Sequence, residues 1–421
     1  MDMDRKLSDG TGRAYGRKPG VPDPVLTQVG PGTPGGELLR RYWQPIAFSS
    51  EATTLPKQIR RFGEDLILFR NQNGEPGLLT PRCIHRGASL FYGKVEEDGI
   101  RCCYHGWKFS AQGVVLDQPC EPDGGRSKHK LRQPWYPVVE KFGAVWVYMG
   151  PPERQPLFPI FSCFENLPDD AVVAAGGPNF PEVVGPAMMA HNWYQGFDNA
   201  TDHYHLPILH TRHSGPQLSG KEYTTELPQI EWDSSPTGYS ILTISRRDLG
   251  DGNVYVRVEQ MLMPNIVGIP SVLTLTDPAG ALLFWVPCDD TSTTAMAFLQ
   301  RQTQPDPSLD MTKAKLLGFG PQKKVWHEMT PEERQRYPGD YEAQAGQGVI
   351  TLHSEEHLAA SDAGLVKQRL LWKRQAKIVA EGGDPVGVAF KEADRRILVE
   401  ARSWVEKRAQ SKAAATADIE A

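Results

Sequence analysis

With 421 residues, the chain is longer than one hydrophobic core usually organises, so we expect two domains. The net charge of -5 and the spread of Lys and Arg along the chain argue against nucleic-acid binding. No apolar run reaches about 18 residues and the N-terminus lacks an apolar signal core, so we expect no membrane association and a cytoplasmic location.

Residues 1–44 are predicted to form an N-terminal arm followed by a short helix. Glycine and proline are frequent up to residue 36, which favours an extended segment on the surface, and the helix would cover ELLRRYW. The segment from Gly30 to Gly35 matches the G-x-G-x-x-G dinucleotide pattern. Two prolines crowd this turn and no strand–helix–strand unit follows, so we expect no nicotinamide or flavin site.

Residues 45–154 are predicted to form an antiparallel β domain. Short apolar runs such as LILFR, VVLD and AVWVYMG alternate there with turn sequences rich in glycine. The remaining residues, 155–421, would form a second domain. In it, a helical stretch around 190–205 precedes the strands YSILTIS, VYVRVEQML and ALLFWVP.

The last part of the chain is predicted to contain a long excursion and two helices. Residues 304–338 are polar and contain prolines, which favours a lid or a mobile segment. Apolar residues recur at spacings of three and four within 357–381 and within 389–408, which predicts an amphipathic helix in each.

Two short motifs in the β domain suggest a metal site. Cys83 and His85 form C-x-H, and after 16 intervening residues Cys102 and His105 form C-x-x-H. Six cysteines are too few for a disulfide framework in a chain of this length, which favours ligation or burial. Two cysteines and two histidines can bind zinc, although zinc fingers commonly group Cys with Cys and His with His. The alternative is a Rieske [2Fe–2S] cluster, in which thiolates bind one iron and imidazoles bind the other.

A second potential metal site follows in NWYQGFDNATDHYHLPILH. His205 and His210 are separated by four residues near the expected helix end. Two histidines and a carboxylate would make the facial set that leaves open positions on Fe(II). Asp202 lies three residues before His205, so we expect it on the same helical face, where it can accept the imidazole N–H. The spacing alone also fits structural histidines, and 51 acidic residues compete as the third ligand.

CIHRG and CCYHGWKF resemble the Rieske box of ring-hydroxylating oxygenases, and DNATDHYHLPILH resembles their iron-binding segment. The resemblance implies that Asp202 connects the iron histidine His205 to the cluster histidine His105 of an adjacent subunit, with Asn199 in a neighbouring asparagine position. It further implies these ligands: Cys83 and Cys102 for one cluster iron, His85 and His105 for the other, and His205 and His210 for the mononuclear iron.

The third iron ligand is also suggested by resemblance. GDYEAQAGQGVITLHSEEHLAASDAGLV is similar to the C-terminal segment of the phthalate dioxygenase branch. That alignment, supported by Gln344 and Gly348, implies Asp340 as the ligand, with Glu342 as the second choice. The alternative from the residues alone is that Asp340 caps a helix or turn after Pro338.

The cysteines and histidines discussed next lie outside the two potential metal sites, and we expect them to have structural roles. Cys103 stands where the Rieske box usually has a proline, and we expect a small buried residue there. His203 and His213 fall outside the iron pattern and are expected to be surface or lining residues. The isolated cysteines are predicted to be packing residues: Cys120, Cys163 and Cys288.

The resemblance covers most of the chain and implies an α+β fold, with a Rieske domain before a helix-grip catalytic domain, in an α-only homotrimer. It implies a terminal oxygenase that uses dioxygen and electrons from NAD(P)H, supplied by a separate reductase and optionally a ferredoxin. Mononuclear Fe(II) cannot supply all the electrons for dioxygen activation, so the cluster would store one.

The substrate implied by this branch is an aromatic acid, most simply a methoxylated lignin-derived acid that is O-demethylated with release of formaldehyde, as in the dehydrodivanillate O-demethylases. Ring dihydroxylation or monohydroxylation of a phthalate-like acid is the alternative, and a zinc-stabilised binding protein is the alternative of another class. Arg247 and Arg257 lie on predicted strands and could bind a carboxylate bidentately, or they could face solvent.

Overall fold

The computed structural model describes residues 18–408 with internal gaps. The gaps within that range are 168–170, 176–187, 216–226, 251, 271–275, 277–280, 303–323 and 325–327. Most of the predicted 304–338 excursion therefore lies outside the described residues. In the part of the chain that is described, no helix has the length and apolar character needed to cross a bilayer.

Seven α-helices are present among the described residues. They are α1 (Pro24–Thr27), α2 (Pro34–Arg40), α3 (Trp193–Asn199), α4 (His205–Pro207), α5 (Pro331–Arg336), α6 (Asp340–Gly346) and α7 (Ala363–Ala380).

The arm differs from its predicted structure in two respects. Helix α2 begins at Pro34, three residues earlier than expected, because the Thr33 side chain accepts from the Gly36 N–H and proline suits the first helical position. The described part of the arm is also not confined to the surface. Leu26 and Val29 are buried with the main core, so this segment contributes hydrophobic contacts to the fold.

The first half of the structure contains three antiparallel sheets. Their orders are β1-β10-β9, β2-β3-β4 and β5-β6-β7-β8. The strands are β1 (Gln44–Phe48), β2 (Lys57–Arg61), β3 (Glu64–Arg70), β4 (Pro76–Leu79), β5 (Lys94–Val95), β6 (Ile100–Arg101), β7 (Lys108–Phe109), β8 (Val115–Asp117), β9 (Val138–Lys141) and β10 (Ala144–Val147). The predicted antiparallel β module is therefore present.

The second half is built on one large antiparallel sheet. Its order is β12-β19-β18-β17-β16-β15-β14, with β13 added to β19 and β21 added to β16. Strands β11 and β20 form a short parallel pair. The strands are β11 (Ile160–Phe161), β12 (Ala171–Ala175), β13 (Met188–Met189), β14 (Gln229–Ser234), β15 (Ser240–Gly250), β16 (Asn253–Leu262), β17 (Ile266–Ile269), β18 (Ala281–Asp289), β19 (Ser292–Gln302), β20 (Arg396–Ile397) and β21 (Arg402–Lys407).

The predicted helix over 389–408 is wrong. This segment holds β20 and β21, and β21 pairs antiparallel with the first six residues of β16. That part of β16 would otherwise present an unpaired strand edge, which is a costly feature of a sheet. Within β21, Ser403 is buried and Arg402 is exposed. The predicted helix over 357–381 is confirmed for Ala363–Ala380, which form α7, whereas 357–362 are not α-helical.

Two hydrophobic cores organise these elements. The smaller core surrounds the metal-motif loops and includes Ile67, Phe109 and the two cysteines Cys83 and Cys102. The larger core runs from the arm and β1 through β10 into the large sheet and α7, and Trp146 packs there against Phe284 with ring centroids 5.2 Å apart. Shared packing of this kind holds the β module firmly against the second half.

Candidate functional site

Two loops with the same hydrogen-bond pattern carry the Cys/His motifs. In each loop the cysteine N–H donates to the carbonyl five residues later, and a glycine four residues later donates back to the cysteine carbonyl. The bonds are Cys83 N to Ala88 O (2.9 Å), Gly87 N to Cys83 O (2.8 Å), Cys102 N to Trp107 O (2.8 Å) and Gly106 N to Cys102 O (3.1 Å). Both glycines have positive φ, +76° and +73°, which L side chains rarely adopt, so each closes its loop.

The loops bring two thiols and two imidazoles together. Cys83 and Cys102 are only 2% and 3% exposed, and their side chains are within hydrogen-bonding reach of each other. The rings of His85 and His105 lie 4.6 Å apart at their centroids. Trp107 stacks on His85 at 4.7 Å with an interplanar angle of 1°, which fixes the orientation of that imidazole. All four predicted cluster residues therefore meet at one place.

This donor set fits a [2Fe–2S] cluster. Burial raises the pKa of the Cys83 thiol to about 11, and the Cys102 sulfur adds to the effect. Thiolates become favourable at such a place when a metal cation replaces their protons. Nδ1 of His105 is buried and has no hydrogen-bond partner among the described residues, and coordination would satisfy it.

His205, His210 and Asp340 form the second potential metal site. Each offers one ligand atom, and the three atoms lie within 4.8 Å of one another. Oδ1 of Asp340 is 3.5 Å from Nε2 of His205 and 3.3 Å from Nε2 of His210. Two imidazoles and one carboxylate on a common side match the facial set of non-heme Fe(II) sites.

Glu342, the second choice for the third iron ligand, does not face the two histidines. Its Oε1 accepts from Arg334 Nε at 2.8 Å, and its Oε2 accepts from the Gly339 N–H at 3.0 Å. Glu342 therefore caps α6, while Asp340 directs its carboxylate to the two histidines. The predicted alternative of a capping role for Asp340 does not describe this structure.

The charges at this site favour a divalent cation. Burial opposes ionisation of Asp340, but His210 and His205 hold the pKa of its carboxyl well below its usual range. Burial also favours neutral His205, yet Asp202 and Asp340 raise the pKa of that imidazole to about 9. A carboxylate that draws protons onto neighbouring imidazoles attracts a metal cation in the same way. The donor set therefore fits Fe(II).

The prediction that Asp202 and His205 share a helical face is wrong. Residues 200–204 form a turn between α3 and α4, and a π-helix at Ile208–His213 carries His210, beyond the predicted helix end. Single π turns inside helices are frequent at functional sites. The turn still leaves Oδ2 of Asp202 3.6 Å from Nδ1 of His205, while Oδ1 accepts from the Tyr204 N–H at 2.7 Å. The Asp202 side chain is 45% exposed.

Buried contacts hold the segment before His205. Asn199 donates from Nδ2 to Asp340 Oδ1 at 3.1 Å, and the Trp232 indole donates to the Thr201 carbonyl at 3.0 Å. The neighbouring Asp198 accepts two hydrogen bonds from Arg369 of α7, at 2.5 and 3.2 Å. The same guanidinium binds both oxygens of Glu356, at 2.5 and 2.9 Å. Sequence reasoning missed these contacts because no spacing rule connects residues so distant in the chain.

Arg369→Met is expected to lower the free energy of unfolding by about 3 kcal/mol, because it leaves two largely buried carboxylates without their cation. Chemical denaturation followed by tryptophan fluorescence measures this change. Arg246→Met is the matched control, since its partner Glu231 is 59% exposed, and it should cost less than about 1 kcal/mol. Equal losses in the two variants would contradict the importance of the buried triad.

Both candidate carboxylate-binding arginines are buried rather than solvent-facing. Arg257 donates from Nε to Glu259 Oε1 at 2.8 Å, and Glu259 also lies 3.1 Å from Nε2 of His203. Burial opposes ionisation of Glu259, but His203 and Arg257 lower its pKa to about 2. Arg247 donates to Ser245 Oγ at 3.1 Å and to the His203 carbonyl at 3.5 Å. The two arginines and Glu259 therefore form a charged group against the turn that carries Asp202.

Several minor predictions are corrected. His203 is buried and paired with Glu259, not a surface residue, whereas His213 is exposed as expected. Cys103 and Cys120 are exposed rather than buried, because both lie on the loops that surround the cluster residues. The other two isolated cysteines, Cys163 and Cys288, are buried packing residues.

Comparison with known proteins gives the family. A model described as "Rieske [2Fe-2S] domain" matches residues 42–139. The chain is 44% identical to phenoxybenzoate dioxygenase subunit alpha of Ectopseudomonas oleovorans, over 92% of this chain and 93% of the relative. It is 30% identical to the 5,5'-dehydrodivanillate O-demethylase oxygenase subunit of a Sphingobium species, over 86% of this chain and 81% of the relative.

The fold agrees with these sequence relatives. The crystal structure of dicamba monooxygenase bound to dicamba superimposes with a TM-score of 0.57, covering 82% of this chain and 99% of that one at 16% identity. The zinc-stabilised binding protein is not favoured by any of these similarities. The chain belongs to the oxygenase alpha subunits of the Rieske non-heme iron family, and it is an oxidoreductase that uses molecular oxygen.

Proposed function

We propose that the two donor sets hold the two centres of a terminal oxygenase. Cys83 and Cys102 would bind one iron of the cluster and His85 and His105 the other, and the proximity of the two thiols and of the two imidazoles supports this. The mononuclear Fe(II) would be held by His205, His210 and Asp340, which the described contacts bring within 4.8 Å. The division into an arm at 1–44, a Rieske domain at 45–154 and a catalytic domain at 155–421 remains part of this proposal.

Side chains next to the proposed iron ligands orient His205 and Asp340 for metal binding. When bound, the cluster and the iron supply the electrons and the open coordination positions that dioxygen activation requires. The Asp202 carboxylate lies 3.6 Å from Nδ1 of His205, so with a metal bound at Nε2 it would favour the proton on Nδ1. Asn199 holds Oδ1 of Asp340 through its amide, so the carboxylate is oriented before metal arrives.

Electron delivery is proposed to cross between copies of the chain. Asp202 is almost half exposed, and the contacts described for the two donor sets do not connect them within one chain. A second copy in a homotrimer would place its His105 against Asp202. A separate NAD(P)H-dependent reductase, with or without a ferredoxin, would reduce the cluster.

The substrate is proposed to be a benzoate that carries an aryl ether. Two relatives support this class, one named for phenoxybenzoate and one for O-demethylation of dehydrodivanillate. Arg247 and Arg257 are the candidates to bind the substrate carboxylate, because a guanidinium can bind a carboxylate bidentately. Burial of Arg247 beside the His203 carbonyl places it next to the turn of Asp202.

The proposed reaction is O-demethylation of a methoxylated aromatic acid. The methyl ether, O2, two electrons and two protons would yield the phenol, formaldehyde and water, because hydroxylation of the methyl carbon gives a hemiacetal that breaks its C–O bond. Ring dihydroxylation is the second candidate, and the relative named phenoxybenzoate dioxygenase is the observation that favours it.

Product analysis under labelled dioxygen should decide between the two reactions. With vanillate-type acids, a donor system and 18O2, we expect formaldehyde and an unlabelled phenol oxygen. Matched acids without the methoxy group should give no formaldehyde. A doubly labelled cis-diol without formaldehyde would instead indicate ring dihydroxylation. Neither product, together with no substrate-dependent consumption of dioxygen, would refute the proposal for this class of aromatic acid.

A further inference from the structure

The loop between β8 and β9 touches both cluster-ligand loops. Near its start, the Cys120 thiol donates to the His105 carbonyl at 3.5 Å. Near its end, Gln133 is fully buried, accepts from the Ile84 N–H at 2.9 Å and donates to the Arg82 carbonyl at 2.9 Å. The loop is therefore anchored at both ends on the backbone that surrounds the four predicted cluster residues.

The middle of this loop carries a local block of positive charge. Five of the seven residues in RSKHKLR are basic, and we call them the basic strip: Arg126, Lys128, His129, Lys130 and Arg132. All except Lys128 are exposed, and Lys128 donates to the Leu116 carbonyl. Among the described residues, no carboxylate forms an ion pair with any of them. The expectation that basic residues are dispersed along the whole chain is therefore wrong for this segment.

Apolar and aromatic side chains adjoin the same ligand loops. Tyr104, between two ligand positions, is 56% exposed, and the Arg86 guanidinium lies 5.6 Å from its ring. Tyr92 is 70% exposed on the short 3-10 helix that follows the first ligand loop. Aromatic residues and arginine are enriched in protein interfaces, and a charged rim steers the approach of a partner.

We propose that the basic strip is the docking surface for an acidic electron-transfer protein. This rests on the proposed function, in which one electron passes from a separate reduced carrier to the oxidised cluster and no bond is formed. A basic surface beside the cluster would raise the encounter rate of an acidic carrier and would hold it where transfer is short. Nucleic acid is less favoured, because the loop that carries the strip contacts both cluster-ligand loops and the chain as a whole is acidic.

The test compares charge-reversed variants of the loaded protein. The probe is an acidic plant-type [2Fe–2S] ferredoxin, pre-reduced and mixed with oxidised protein in stopped flow. Lys130→Glu/Arg132→Glu should lower the second-order rate of cluster reduction at low ionic strength by about 10-fold or more. Its affinity for immobilised ferredoxin should fall in parallel. Added salt should slow the wild type strongly and the variant little, because the attraction is electrostatic.

Arg374→Glu/Lys377→Glu is the matched control, with the same charge change at exposed positions of α7, and it should behave as wild type. Equal rates for the strip variant and wild type, or a control slowed as much as the strip variant, would overturn the proposal. So would binding of a short DNA duplex that only the strip variant loses while its reduction by ferredoxin is unchanged. Failure of the proposed function is distinguishable, since the visible absorption would then not bleach with dithionite.

Discussion

Asp202→Asn is expected to reduce turnover by about 100-fold or more while both metal centres stay loaded. The substitution keeps the size and shape of the side chain and removes its negative charge. Iron binding should persist because His205, His210 and Asp340 are unchanged and lie within 4.8 Å of one another. What is lost is the carboxylate 3.6 Å from Nδ1 of His205.

Two physical effects contribute to the expected loss. The Asp202 carboxylate supports a high pKa of the His205 imidazole, and its removal weakens the basicity of that ligand. The exposed part of Asp202 is also the proposed contact to His105 of a second copy, and a neutral amide cannot accept a proton when an electron crosses. Burial opposes ionisation of Asp202, but His205 lowers its pKa, so the carboxylate is charged at neutral pH in the native protein.

Single-turnover experiments separate these effects from loss of metal. The cluster is reduced with dithionite, excess reductant is removed, and reoxidation by dioxygen is followed in the presence of substrate. The variant should show normal iron content and normal bleaching, but reoxidation and product formation should be slow. Asp248→Asn, at the far end of β15, is the matched control and should react like wild type. Reoxidation of Asp202→Asn at the wild-type rate would refute the proposed route.

The cluster site could be predicted from sequence because it is local. Each ligand loop closes on itself through hydrogen bonds between residues four and five positions apart, and the glycines at 87 and 106 mark the points where the chain turns. The spacing of the Cys and His residues in the sequence was therefore enough to predict how the cluster ligands are arranged. The mononuclear site could not be predicted from spacing alone, because Asp340 lies 130 residues after His210. Asp340 was identified only because the segment around it resembles a known family segment.

The features that sequence did not reveal depend on partners distant in the chain. The sequence suggested Arg257 as a ligand of the substrate carboxylate, but in the structure Arg257 is paired with Glu259, which also contacts His203. The sequence of β21 predicted a helix, but this segment pairs with the edge of β16. Helical spacing of apolar residues is a weak signal when a sheet edge offers backbone hydrogen bonds.

Asp340→Ala is expected to remove the mononuclear iron and leave the cluster intact. Iron per chain should fall from about three to about two, and visible absorption from the cluster should be unchanged. The reason is that, among the described residues, Asp340 is the carboxylate that lies near Nε2 of both imidazoles, and two neutral ligands bind Fe(II) far more weakly than two plus an anion. Turnover should become undetectable.

Glu342→Gln provides the control two residues further along α6. It changes a carboxylate that caps the helix and binds Arg334, so it should cost about 1 kcal/mol of stability and keep all the iron. Inductively coupled plasma analysis and acid-labile sulfide measured on both variants give iron and cluster content separately. Iron lost from Glu342→Gln but retained by Asp340→Ala would exchange the two assignments. Iron retained by both would place the third ligand elsewhere, because a two-histidine site without its carboxylate lacks the negative charge that makes binding of a divalent cation favourable.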